Sequence, residues 1–203
     1  MNKIAKALLE TSSVHIKPEK ENFYTWTSGK RSPIYCDNRQ LISYPEFRRQ
    51  IVQEFITLIK EKFPLTELIA GTATAGIPWA AWIAEGLNLP MVYIRSKPKG
   101  HGLKSAIEGK ITQGQKTLII EDLISTGKSS IEAVNHAQKD LLEVQAVLSI
   151  FTYGFKEANE HFQKIGLEKI SLCDLDQLLK YAKNHKLLNQ ENVDTVMNWK
   201  NHF

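Results

Sequence analysis

The sequence is poor in cysteine, with only Cys36 and Cys173 among its 203 residues. Two cysteines this far apart form no zinc-binding spacing, and their number excludes a disulfide-stabilised scaffold, so a reducing cytoplasm is the expected location. The sequence also lacks an apolar run near the roughly 18 residues that a membrane span needs. Its amphipathic first ten residues contain no small-residue cleavage site. We therefore expect neither a membrane contact nor a secretory signal.

A strong excess of charge is missing as well. The chain has 26 Lys and Arg against 22 Asp and Glu, for a formal net charge of +4, which is too weak to distinguish nucleic acid from a small anionic ligand. The excess is nevertheless local, because residues 95–104 contain four Lys or Arg and no Asp or Glu. Outside this segment we find no basic face or DNA-reading module. We therefore expect no nucleic acid partner, and we expect an anion to bind near residues 95–104.

Internal repeats, low-complexity segments and linkers are also missing, which favours a single domain over residues 1–203. Within it, residues 1–40 are expected to contribute a helix and a hairpin of short aromatic and β-branched strands. Further along, short apolar runs alternate with amphipathic helices, the runs being residues 68–71, 91–94, 117–120, 144–151 and 169–172. This alternation predicts an α/β fold, a mostly parallel sheet with helices on both faces. Residues 95–115 are expected to form a long loop, or a loop with a small hairpin.

The most informative segment is residues 117–130, which read TLIIEDLISTGKSS. An apolar strand ends in Glu121 and Asp122, and a hydroxyl-rich turn then leads into a helix. A nucleotide P-loop is excluded, because it needs glycine five positions before Gly127, where Asp122 stands. Instead, the backbone N–H groups of residues 125–129 can bind one phosphate, while the acids accept hydrogen bonds from sugar hydroxyls or hold a cation. The segment predicts a ribose 5-phosphate ligand; an acidic helix N-cap without a ligand is the alternative.

Two more glycine-containing segments follow predicted strands. Residues 71–78 read GTATAGIP, in which Gly71 and Gly76 permit a tight turn and close approach of a ligand to the backbone. A plain strand-to-helix turn is the alternative there. In residues 95–104 the glycines indicate hinges, and the four cations suit a leaving diphosphate; a solvated loop is the alternative.

Together these segments resemble the orotate phosphoribosyltransferases, within the type I phosphoribosyltransferases. Residues 117–130 resemble the motif that binds 5-phosphoribosyl 1-diphosphate (PRPP). Residues 23–39, FYTWTSGKRSPIYCDNR, resemble the family's N-terminal hood, residues 71–78 its diphosphate loop, and residues 95–102 its mobile catalytic loop. The order and spacing match over nearly the whole chain. The resemblance implies transfer of the 5-phosphoribosyl group from PRPP to orotate, giving orotidine 5′-monophosphate and diphosphate in pyrimidine synthesis.

The resemblance also implies catalytic roles for three residues. Lys99 is expected to stabilise the leaving diphosphate from the partner subunit, which implies a homodimer with shared active sites. His101 is expected to hydrogen-bond the diphosphate or to transfer a proton. Asp122, with Glu121, is expected to hold the ribose diol.

The binding residues implied by the resemblance form two sets. Orotate is expected to contact the Ser125 hydroxyl and the backbone of Tyr35 and Cys36. The expected PRPP-binding residues are Thr74, Ala75, Arg95, Lys99, His101, Glu121, Asp122, Leu123, Ile124, Ser125, Thr126, Gly127, Lys128 and Ser129. Mg²⁺ is the expected cofactor, held mainly by substrate oxygens without a dedicated protein metal site.

The sequence departs from the family pattern at several cationic positions. Some members carry lysines where this chain has Thr27, Ala75 and Ser96. Some use an arginine for orotate near Lys156, which is only a loose substitute, so no residue is assigned to neutralise the orotate carboxylate. A phosphoribosyltransferase for another base, a PRPP-binding regulator and an enzyme without activity remain alternatives.

Overall fold

The computed structural model describes residues 3–26, 29–96 and 105–203. The chain divides into two compact units, one formed by Met1–Arg48 with Cys173–Phe203 and the other by Arg49–Leu172. The predicted catalytic residues Lys99 and His101 lie outside the described residues. Within the described part of the chain, no helix combines the length and apolar character needed to cross a membrane.

The first unit contains short strands and terminal helices. Its elements are α1 (Lys3–Glu10), β1 (Val14–Ile16), β2 (Tyr24–Thr25), β3 (Arg31–Ser32), β4 (Ile34–Cys36), α6 (Leu175–Asn184) and α7 (Gln190–Asn201). Antiparallel pairing of β2 with β3 confirms the predicted hairpin, and β1, which was not predicted, pairs with β4. The indole Nε1 of Trp199 in α7 donates to the Arg31 carbonyl oxygen over 2.9 Å, so the last helix stabilises the hairpin.

The second unit is an α/β unit. Its elements are α2 (Pro45–Lys62), β5 (Leu68–Thr72), α3 (Gly76–Leu87), β6 (Met91–Ile94), β7 (Ile107–Glu108), β8 (Lys116–Ile124), α4 (Lys128–Lys139), β9 (Glu143–Thr152), α5 (Lys156–Lys164) and β10 (Glu168–Asp174). The six-stranded sheet has the order β10-β9-β8-β5-β6-β7. Parallel pairing joins β5 to β6, β5 to β8 and β8 to β9, and only the short β7 is shown antiparallel to its neighbour. The predicted fold class is confirmed.

The apolar strands form the core of this unit because they are covered by helix faces. Ile119 of β8 and Val147 of β9 pack in one buried cluster with Ala133, Val134 and Ala137 of α4. These three helix residues are spaced at i, i+1 and i+4, as expected for a helix with one buried face. Because α4 packs against β8 and β9, its N-terminus lies near the end of β8, which it follows in the chain.

Two predicted boundaries change in the structure. The predicted strand 117–120 extends to Ile124, because β9 continues to pair with it, Glu121 with Ser149 and Ile124 with Thr152. The two acids therefore lie within the strand and not after it. In residues 95–115 the structure has a short strand, β7, which pairs antiparallel with the preceding β6 and so joins the sheet edge. Residues 97–104 lie outside the described residues.

Candidate active site at the end of β8

The turn between β8 and α4 comprises residues 125–127 and is called the β8–α4 turn below. Gly127 has a φ of +79°, in the left-handed region that favours glycine. A Cβ there would lie 3.2 Å from Cε2 of Phe162 and 3.7 Å from the Ala158 Cα, so the turn packs closely on α5. Glycine also leaves the helix N-cap without a side-chain oxygen. The first N–H groups of α4 have no intrahelical acceptor, so an anion at this turn could accept hydrogen bonds from them. Binding of a phosphate there stays a prediction.

Backbone carbonyls around this turn are held by the segment that follows β9. The Ile124 carbonyl oxygen accepts from the Thr152 hydroxyl over 2.9 Å and from the Tyr153 N–H over 3.3 Å. The Thr126 carbonyl oxygen lies 3.0 Å from Nδ1 of His161 in α5. Sequence reasoning missed His161, because nothing in the local pattern of α5 indicates a contact with a turn 35 positions earlier.

The two acids of β8 occupy different environments. Successive side chains of a strand alternate between the faces of the sheet, so Glu121 and Asp122 leave β8 on opposite faces. Glu121 is only 6% exposed, and the Ser130 hydroxyl donates to it over 3.5 Å. Burial, with the negative charge of Asp122, raises the pKa of Glu121 to about 8, against the opposing effect of hydrogen bonds from Thr72, the Asp122 backbone and Ser130. Asp122 is half-buried.

The short loop after β5 packs directly against β8. A Cβ at Gly76 would lie 2.3 Å from the Ile120 carbonyl oxygen, so only glycine permits this approach. The Thr72 hydroxyl donates to the same oxygen over 3.2 Å. Thr74 is exposed and Ala75 half-buried, and the peptide bond before Thr74 is cis. The loop thus presents its backbone beside the end of β8.

A cleft joins these elements. Its lining residues come from the ends of β5 and β6, from β8 and from one face of α4: Thr72, Ala73, Ile94, Arg95, Ser96, Glu121, Ser129, Glu132, Ala133 and His136. Among the predicted residues it unites Arg95, Glu121 and Ser129. Glu132 and His136 were not predicted, although their spacing after Ser129 places them on the same helix face.

The first residue of the predicted catalytic loop, Arg95, and the residues from Ser105 onward that follow the loop are bonded to their surroundings. The Arg95 N–H donates to the Ala106 carbonyl oxygen over 2.9 Å, and Arg95 Nη1 lies 3.3 Å from Glu108 Oε1. At the far end, the Ser105 hydroxyl donates to Asp140 over 2.5 Å and accepts from the Ile107 N–H. The two ends of the segment are therefore held side by side.

The remaining predicted residues are distributed between the two units. Tyr35 and Cys36 lie in β4 of the first unit, where Tyr35 is 39% exposed and its ring centroid is 5.6 Å from that of Tyr24. The Cys36 thiol is buried and donates to Asn38 over 3.0 Å. In the second unit, the Ile124 side chain is buried in the core. The other positions from Leu123 to Ser129 follow at the end of β8 and the start of α4.

Within residues 3–26, 29–96 and 105–203, no group of three or more His, Cys, Asp or Glu side chains is arranged to hold a metal ion. Mg²⁺ commonly keeps water and substrate oxygens and takes only one or two protein carboxylates. Of the two acids of β8, the half-buried Asp122 is the carboxylate that such an ion could use, since Glu121 is buried.

Comparison with known proteins gives one consistent result. The family model described as phosphoribosyl transferase domain matches residues 46–175. The chain is 47% identical to an orotate phosphoribosyltransferase of Staphylococcus aureus strain Mu50, over 98% of each chain. It is 44% identical to one of Fusobacterium nucleatum, over 98% of this chain and 95% of the relative. A crystal structure of orotate phosphoribosyltransferase from Aeropyrum pernix matches with a TM-score of 0.77 at 26% identity, covering 88% of this chain and 97% of that one.

Proposed function

This chain belongs to the orotate phosphoribosyltransferase family, and from that membership we propose that it transfers the 5-phosphoribosyl group of PRPP to N1 of orotate. The products are orotidine 5′-monophosphate and diphosphate, a step of pyrimidine nucleotide synthesis. One observation supports this most directly: the β8–α4 turn and the acids of β8 are adjacent. A phosphate at the helix N-terminus and a ribose diol at the acids would be bound by the two parts of one short segment.

The residues of the second unit would bind PRPP through three contacts. The N–H groups at the start of α4 would hold the 5-phosphate, because they are the unsatisfied donors of the helix. Asp122, with Glu121, would accept hydrogen bonds from the ribose hydroxyls. The backbone of Thr74 and Ala75 and the guanidinium of Arg95 would bind the diphosphate.

Catalysis requires stabilisation of the negative charge that develops on the leaving diphosphate, since the transition state resembles an oxocarbenium ion. We assign this role to Lys99 with Arg95, and assign His101 to hydrogen bonding or proton transfer at the diphosphate. Mg²⁺ would supply further positive charge at the diphosphate when bound, and the half-buried Asp122 is the carboxylate of β8 that would hold it. Covering the site would exclude water, which otherwise hydrolyses PRPP.

Orotate would contact the Ser125 hydroxyl. We assign the backbone of Tyr35 and Cys36 to bind the edge of the orotate base.

We further propose a homodimer in which Lys99 acts in the partner's site. We place the protein in the cytoplasm, because both of its cysteines are free thiols, as is usual in a reducing compartment.

An assay with PRPP and orotate, with and without Mg²⁺, tests the proposed function. We expect orotate absorbance to fall with equimolar release of diphosphate, and the rate to depend on Mg²⁺. Adenine, guanine, hypoxanthine and uracil in place of orotate are the matched controls and should give no product. Turnover of another base instead of orotate would contradict the assignment, as would RNA or DNA retention on a filter without any transfer.

A further inference from the structure

Two consecutive residues of α5 lie against two consecutive residues of the β8–α4 turn. His161 Nδ1 is 3.0 Å from the Thr126 carbonyl oxygen. The Phe162 ring borders Gly127, where a Cβ would come within 3.2 Å of it. These two contacts therefore join α5, which is distant in the chain, to the turn at which a phosphate is expected to bind.

The chemistry of the His161 contact fixes its direction. A carbonyl oxygen only accepts hydrogen bonds, so Nδ1 of His161 must carry the proton and donate it. The bond is half-buried, which shields it from competition with water. His161 thus holds the Thr126 carbonyl toward α5.

Holding this carbonyl also orients the next N–H group. The C=O of Thr126 and the N–H of Gly127 belong to one peptide plane, and this peptide is trans. In a trans peptide the two groups point in opposite directions. With the carbonyl directed toward α5, the Gly127 N–H is directed to the opposite side of the turn, together with the free N–H groups at the start of α4.

Neighbouring carbonyls are engaged as well. The Ile124 oxygen accepts from Thr152 and Tyr153, and the Gly127 oxygen accepts from the Ile131 N–H over 2.9 Å. A carbonyl dipole that faced a bound phosphate would repel it. The contact from His161 prevents this at Thr126.

We propose that His161 is a positioning residue for the 5-phosphate of PRPP, acting through the Thr126–Gly127 peptide. The inference rests on the proposed function and adds to it a residue outside the β8–α4 segment. It implies that His161 determines affinity for the phosphorylated sugar more than the rate of the chemical step.

Calorimetric binding of ribose 5-phosphate and PRPP to variants of the full-length protein tests the proposal. His161→Phe keeps a ring of similar size and removes the donor, and we expect roughly three- to tenfold weaker binding of both ligands, as for loss of one hydrogen bond. KM for PRPP should rise by a similar factor while kcat stays within about twofold. His161→Asn places an amide N–H near the position of Nδ1 and should restore most of the affinity.

His185→Phe is the matched control. In α6, His185 Nδ1 lies 2.9 Å from the Tyr181 carbonyl oxygen, the same type of bond in the other unit, and its loss should leave ligand binding unchanged. Equal affinity of wild type and His161→Phe would overturn the inference alone. Binding of ribose 5-phosphate without conversion of orotate by the wild type would instead contradict the proposed function and leave the inference standing.

Nitrogen NMR of ¹⁵N-histidine in the wild-type protein provides a second measurement if His161→Phe fails to fold. The signal of His161 is identified by its loss in His161→Asn. It should show that the Nδ1 atom of His161 carries a proton. An Nδ1 without a proton would overturn the proposal, because such a nitrogen cannot donate to Thr126.

Discussion

Arg95 and Glu108 form an ion pair across the base of the predicted catalytic loop, with Nη1 3.3 Å from Oε1. Arg95 directly follows β6, which pairs antiparallel with β7, Tyr93 opposite Glu108, so the contact follows from the β6–β7 register. The side chains are 39% and 23% exposed, and a pair this open to solvent contributes little to stability. Arg95 could therefore leave Glu108 and bind a diphosphate with only a small loss of free energy from the broken ion pair.

Glu108→Gln should therefore favour PRPP binding. Without the carboxylate, Arg95 has no anionic partner in this pair and is available to the diphosphate, and we expect KM for PRPP to fall by about two- to threefold. Steady-state kinetics at low ionic strength measure the change. Glu168→Gln removes an exposed partner of Lys62 in the same unit and should have no effect. A higher KM for Glu108→Gln would indicate that Glu108 orients Arg95 instead of competing for it.

Burial of Glu121 predicts a pH-dependent stability of the ligand-free protein. Its pKa is raised from 4.5 to about 8 in the folded state, so between these values the folded protein holds a proton that the unfolded chain releases. Stability consequently falls as pH rises from about 4.5 to about 8, and this loss is absent in Glu121→Gln.

Urea denaturation of both proteins across this pH range measures the difference. The free energy of unfolding of Glu121→Gln should exceed that of wild type by an amount that grows with pH. Glu61→Gln, a substitution of an exposed acid on α2, should follow wild type. Parallel pH profiles for Glu121→Gln and wild type would refute the role assigned to burial.

Asp122→Ala should weaken PRPP binding by about 1–3 kcal/mol, because charge-assisted hydrogen bonds to the ribose diol are lost. That corresponds to roughly five- to 150-fold in Kd, measurable by calorimetry. Asp176→Ala removes an acid of the other unit that pairs with Lys200 and serves as the control. Unchanged affinity of Asp122→Ala would remove Asp122 from the PRPP site.

Lys99→Ala should lower kcat far more than it weakens PRPP binding, because its proposed contact forms with the charge that develops on the leaving group. Single-turnover rates and calorimetric Kd values separate the two effects. Lys110→Ala, an exposed lysine shortly after the same loop, is the matched control. Normal turnover with only a raised KM would contradict the role of Lys99.

Mixing Lys99→Ala with Asp122→Ala, at a PRPP concentration so low that each variant alone is nearly inactive, tests whether Lys99 acts in the partner subunit. In a dimer of Lys99→Ala with Asp122→Ala, one site would combine an intact Asp122 with the intact Lys99 of the partner. Random exchange of subunits should restore up to about one quarter of wild-type activity, since half of the dimers are mixed and each has one intact site. If Lys99 acts within its own subunit, the mixture stays inactive.

Local chemistry made much of this protein predictable from its sequence. The apolar strands, the amphipathic helices and the glycine turns follow from neighbouring residues. The α/β class and the position of the turn after β8 could therefore be derived without a structure. The positive φ of Gly127 has the same local origin, because glycine adopts this conformation without strain. The end of β8 was placed too early, because pairing with β9 extends the strand through two acids that would otherwise favour a turn.

Tertiary packing decided the rest, because it joins residues that are distant in the chain. Burial of Glu121 between Thr72 and Ser130 raises its pKa, and the strand geometry separates its side chain from that of Asp122. The bond from His161 to Thr126 spans 35 positions, and no periodicity in either segment indicates it. The sequence alone determined which segments we predict to bind the phosphate and the sugar, because those patterns are local. Only the tertiary structure showed which distant residues contact these segments, because packing brings them together.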